Sequence, residues 1–138
     1  MPDKEQVRAA GGCLCGRVRY TVRGPLRGVL VCHCGQCRRV HGYVGAYSSA
    51  ARADIDLQGD DAIVWFASSE RGRRGFCGTC GSSLFFHPAG EDRLAIAAGS
   101  LDQPSGLQVI GHEYVANKAD YVRIDDGLPV CAGDWEPE

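Results

Sequence analysis

Seven of the chain's eight cysteines fall in chelating spacings, and no other feature narrows the fold as far. They form Cys13-x-Cys15, Cys32-x-Cys34-x-x-Cys37 and Cys77-x-x-Cys80, with Cys131 standing apart. A CxxC turn brings two sulfurs toward one ion; Gly35 lies in one such turn, and Gly78 and Gly81 accompany the other. In extended backbone, residues i and i+2 project to the same side. The thiols of Cys13 and Cys15 then point one way, as do those of Cys32 and Cys34. His33 falls on the opposite face and is ill placed to join its neighbours as a ligand. Zinc takes four tetrahedral ligands in structural sites and three plus an open position in catalytic ones. The seven thiols therefore divide as four and three. Cys13, Cys15, Cys77 and Cys80 close one structural site, while Cys32, Cys34 and Cys37 are left one ligand short. Iron also accepts four thiolates, so spacing alone does not name the metal.

Composition narrows the alternatives. At 138 residues and 44% hydrophobic, the chain has enough apolar material for a core that does not depend on staples to fold. The first ten residues are charged and lack the apolar stretch of a secretory signal. The expectation is a cytoplasmic protein, where clustered thiols bind metal more often than they oxidise to disulfides. Every apolar run, Val29 to Cys32 among them, is far below the ~20 residues that span a bilayer, so no membrane role is expected. The formal net charge is −2. Seven thiolates and two divalent ions take the folded protein to about −5. Nonspecific nucleic-acid affinity comes from neutralising phosphates, so no nucleic-acid partner is expected.

The remaining pattern reads as β. Arg17–Val22 alternates polar and apolar, the period of a half-buried strand. Further strands are expected at Gly28–Cys32, Tyr43–Ser49, Ala62–Phe66, Leu84–Phe86, Leu94–Ala97, Leu107–Val115 and Tyr121–Ile124. Gln36–Val40 is expected to form a helical turn, and Ser68–Gly75 a charged loop. Nineteen glycines favour turns over long helices. The expected organisation is a flexible lead-in over residues 1–10, one zinc-binding domain over 11–131 and an acidic tail over 132–138. Trp65, Phe66, Phe85 and Phe86 are expected in the core. Arg38 and Arg39 follow the three-thiol motif, and Arg71, Arg73 and Arg74 precede Cys77. Arg38, nearest the open site in sequence, is the candidate for gripping a substrate carboxylate. His41, His87 and His112 are candidate proton carriers, and Glu70 is a candidate base.

Three ordered stretches carry a resemblance across roughly residues 11–130. They are Gly11-Gly12-Cys13-Leu14-Cys15-Gly16, Cys32-His33-Cys34-Gly35-Gln36-Cys37-Arg38 and Phe76-Cys77-Gly78-Thr79-Cys80-Gly81-Ser82-Ser83-Leu84. His112, Tyr114-Val115, Lys118-Ala119 and Asp126-Gly127-Leu128-Pro129 follow in order. With these motifs the chain resembles the glutathione-dependent formaldehyde-activating enzymes, the family of the centromere-protein-V domain. The resemblance implies a mainly β, Mss4-like fold of short antiparallel sheets, with two zinc ions per chain. A structural zinc would sit on Cys13, Cys15, Cys77 and Cys80, and a second on Cys32, Cys34 and Cys37. The implied activity is that of a carbon–sulfur lyase joining glutathione, or another small thiol, to an aldehyde as in S-hydroxymethylglutathione. The competing reading is a non-catalytic, zinc-stabilised protein-binding module, since Mss4-like folds host that role too.

Overall fold

The structure, a computed structural model, describes residues 6–136. Its elements are mostly short strands: β1 (Ala9–Gly12), β2 (Arg19–Val22), β3 (Val29–Cys32), β4 (Gly45–Ala51), β5 (Ile55–Gln58), β6 (Ile63–Ser69), β7 (Gly72–Cys77), β8 (Ser83–Pro88), β9 (Arg93–Ala97) and β10 (Val109–Glu113). One α-helix, α1 (Gly35–His41), follows β3. The chain divides into two compact units, each made from two separate stretches. The first takes the described residues through Arg27 together with Ser48–Gly106, and the second takes Gly28–Tyr47 with the stretch from Leu107 onward.

In the first unit, β1, β2 and β5 form an antiparallel three-stranded sheet. A meander adds β9-β8-β7-β6, also antiparallel. Alternation on β2 buries Tyr20 and Val22. Tyr20 meets Phe85 of β8 edge-on, with ring centroids 5.4 Å apart, and Trp65 of β6 stacks on Phe85 at 6.4 Å. Tyr20 and Phe85, with Val18, Leu84 and Ile96, form the buried centre of the unit.

In the second unit, β3 pairs in parallel with β10, placing Glu113 opposite Cys32, and antiparallel with β4, placing Gly45 opposite Cys32. The end of β3 is thus held on both sides before the chain turns into α1. Among the described residues no helix is long and apolar enough to cross a membrane.

Four expectations are corrected. β1 begins inside the stretch read as a flexible lead-in; Arg8 donates its backbone N–H to Val22 and its guanidinium to the carbonyl of Ser105. Residues 1–5 of that stretch lie outside the described residues. Ser68–Gly75 is mostly strand, because its charges have aromatic partners: the Arg73 guanidinium lies 4.5 Å from the Trp65 ring and that of Arg74 5.1 Å from Phe86. Phe66, expected in the core, is 61% exposed because alternation along β6 turns it outward. Tyr121–Ile124 is no strand; the Val122 N–H bonds the carbonyl of Ala119, and its own carbonyl accepts from Lys118 Nζ.

Candidate metal centres

The first unit carries the four-thiol cluster. Two tight turns build it. In one, Gly16 N–H returns to the carbonyl of Cys13; in the other, Gly81 N–H returns to that of Cys77. Gly16 and Gly81 both have φ near +80°, a conformation that a side chain would strain. Cys13 and Cys15 therefore converge through a turn, and not by lying along one face of a strand. Leu14 N–H donates to Ser82 Oγ, binding one turn to the other. The four Sγ atoms lie within 4.8 Å of one another. Four thiolates at about 2.3 Å from one ion in tetrahedral array stand about 3.8 Å apart. The separations here are 3.6 Å for Cys13–Cys15 and 3.8 Å for Cys15–Cys77, a spacing already suited to a single ion. No cysteine is in a disulfide.

Backbone N–H groups prepare these sulfurs for negative charge. Val18 donates to Cys13 Sγ and Thr79 to Cys77 Sγ. Hydrogen bonds from the Ser82 hydroxyl and backbone pull the Cys80 thiol down to about 5. The Arg17 N–H acts the same way on Cys15, but desolvation and the neighbouring sulfurs outweigh it and leave that thiol raised to about 11.

The second unit carries the three-thiol cluster, whose Sγ atoms also lie within 4.8 Å of one another. Cys32 ends β3, and Cys34 caps α1, its sulfur accepting the N–H of Cys37 at 3.3 Å. Cap geometry thereby brings both sulfurs of the Cys34–Cys37 pair to one point. Hydrogen bonds from Cys32 and Cys37 hold the Cys34 thiol far below its ordinary range, while hydrogen bonding with Cys34 and Cys37, together with burial, drives Cys32 up. Both donor sets, by geometry and by soft thiolate chemistry, fit a zinc-like ion.

His33 lies on the far side of its segment, as alternation requires. Its ring is buried, and Nε2 stands 2.9 Å from Nδ1 of His112. Nε2 of His112 in turn meets the Asp126 carboxylate at 2.7 Å. Burial, then the His112 ring, holds His33 below its usual value, keeping it neutral. The His112 bond, helped by the Leu128 N–H, holds the Asp126 carboxyl below the usual carboxylate range. In the sequence His112 is a candidate proton carrier and Asp126 part of a matching stretch, with nothing that links the two. His33 and His112 lie 79 positions apart in the chain, and the parallel pairing of β3 with β10 is what brings them together.

The other candidates disperse. Arg38 sits on α1, half-buried, one residue beyond Cys37. His41 Nε2 bonds the Tyr47 hydroxyl, and His87 donates to the carbonyl of Glu91. Glu70 lies exposed between β6 and β7.

The model of the glutathione-dependent formaldehyde-activating enzyme family matches residues 8–117, well over half of the chain. Among solved structures, a protein of Rhodobacter sphaeroides determined by a structural-genomics effort matches with a TM-score of 0.57 at 22% identity. The match covers 68% of this chain and 88% of that one, a likeness of fold.

Proposed function

The chain belongs to the glutathione-dependent formaldehyde-activating enzyme family, and from that premise we propose that it is a zinc-dependent carbon–sulfur lyase acting on adducts of an aldehyde with glutathione or a similar small thiol. The observation that carries this reading is the unequal ligand count: four thiols in one cluster, three in the other. A module that only needed bracing would close both sites, and the three-thiol set would have a fourth member.

Cys32, Cys34 and Cys37 would hold the working ion, and Cys13, Cys15, Cys77 and Cys80 the structural one. Zinc with an open position supplies a cation that favours a thiolate over a thiol and polarises a carbonyl. The chain's own residues do the rest. The Cys37 N–H spreads the negative charge of Cys34. Arg38, next along α1, would pair a substrate carboxylate bidentately. In the adduct-forming direction a sulfur–carbon bond forms, the carbonyl π bond opens, and the thiol proton ends on the new hydroxyl; nothing is oxidised or reduced.

The test is exchange kinetics by NMR of glutathione with formaldehyde and zinc-loaded protein. The reading expects acceleration over the protein-free rate, its loss in Cys34→Ser, and a raised KM with smaller change in kcat in Arg38→Ala. No acceleration by fully loaded protein would leave the binding-module reading.

A further inference from the structure

We propose that Asp126 and His112 are positioning residues of the three-thiol site, acting through the ring of His33 to hold Cys32 and Cys34 in chelating geometry. The inference rests on the reading of that cluster as the working site.

His33 lies between two of the three thiols, and both its backbone and its ring are tied to β10. Its N–H donates to the Glu113 carbonyl at 3.0 Å, and its ring meets His112 on the neighbouring position. His112 is itself anchored on both sides of its backbone: its N–H bonds the carbonyl of Pro129, and its carbonyl accepts from Cys131. Backbone and ring of His33 are thus both tied to β10, and the His33 backbone sets the directions of Cys32 and Cys34.

The chain of rings has one polarity. A carboxylate only accepts, so His112 donates from Nε2. With neutral rings, His112 Nδ1 then accepts, and His33 donates from Nε2. The remaining His33 nitrogen, Nδ1, carries the lone pair; it is buried, with no hydrogen-bond partner among the described residues. A bare acceptor in that place is tolerable, whereas a buried N–H without an acceptor costs more than an unfilled lone pair. The carboxylate of Asp126 therefore selects the ring form that the buried pocket accepts.

Asp126 is fixed in a way that makes the idea testable. Its Oδ1 accepts the N–H of Leu128 at 3.0 Å, while Oδ2 faces His112. In Asp126→Asn the amide oxygen must stay on Leu128, which turns the NH2 toward His112 Nε2. Both rings must then exchange tautomers, and His33 is left with an N–H buried at Nδ1. The substitution is isosteric and half-exposed, so folding should survive it.

The experiment measures nitrogen-15 shifts of the histidine rings, amide hydrogen exchange at His33 and Cys37, and stepwise zinc affinity against a competing chelator, in wild type and Asp126→Asn. The expected result is the Nε2–H form of His33 in wild type and exchanged tautomers in the variant. Amide exchange at both positions should quicken, and zinc affinity at the three-thiol site should fall about tenfold or more, the usual scale for lost supporting bonds. The four-thiol ion should be unaffected. Wild type with Nδ1–H at His33, or exchanged tautomers with unchanged second-ion affinity, overturns the inference. Wild type that binds one ion only defeats the proposed function instead, and the inference is then decided by exchange alone: quickened amides support it and unchanged amides overturn it.

Discussion

Replacing Gly45 with alanine tests whether the three-thiol cluster works as a fixed ligand set. Gly45 lies opposite Cys32 on the neighbouring strand. A methyl group there would stand 2.8 Å from Cys37 Sγ and 3.1 Å from both Cys37 Cβ and Tyr47 Cε2. The first distance is shorter than any carbon–sulfur contact tolerates, so the sulfur must move. In metal-free protein it rotates away at small cost. In loaded protein it is held by the ion, and the clash persists as strain of about 1–3 kcal/mol, the range for one added methylene in a packed site. Because the strain falls on one state only, it emerges as lost affinity: about 5-fold to about 150-fold weaker binding of the second ion. Competition titration with a chromophoric chelator reads this directly. Gly99→Ala is the control, because no atom lies within 4 Å of its added carbon. Unchanged second-ion affinity in Gly45→Ala would refute the placement of Cys37 as a ligand.

The first unit offers separate tests. Phe85→Ala removes the ring that contacts both Tyr20 and Trp65 and should cost about 3–5 kcal/mol in denaturant unfolding. Tyr20→Phe deletes the bond to Ser100 Oγ, 2.6 Å long, and should cost about 1 kcal/mol by the same assay; burial holds that phenol up at about 12, so the cost should not change between pH 6 and 9. The hydrogen bond from Arg19 holds the Asp102 carboxyl below its usual value. A lowered folded-state value stabilises above the unfolded value, near 3.9, and that stability is lost as pH falls through the folded one. Asp102→Asn should therefore melt below wild type at pH 6, with the gap closing in acid; a gap that widens in acid would reverse the sign.

The ligand sets were legible in sequence because each pair is local: CxC and CxxC spacing requires only one turn to converge. The family resemblance and most strands were legible for the same reason, since alternation at Arg19–Val22 and the apolar runs at Val29–Cys32 and Leu94–Ala97 are short-range signals. What escaped depends on partners far away in the chain. Arg73 and Arg74 look like a solvated loop until Trp65 and Phe86 are placed beneath them. Phe66 looks like core until the face of β6 is known. The chain from His33 to Asp126 has no local mark at all, because only strand pairing assembles it. The turn at Cys13–Gly16 shows a related limit: two sulfurs can converge through extended backbone or through a turn, and spacing does not distinguish them.

The central claim is that two thiol clusters do different work, one holding the fold and one leaving a ligand position for chemistry. Zinc content measured on purified Cys34→Ser and Cys80→Ser beside wild type tests it most directly, with circular dichroism on each. The account expects two ions in wild type, one ion and retained structure in Cys34→Ser, and loss of structure in Cys80→Ser, because a structural ion contributes folding free energy directly. Unfolding of both variants alike, or two ions retained in Cys34→Ser, would contradict it.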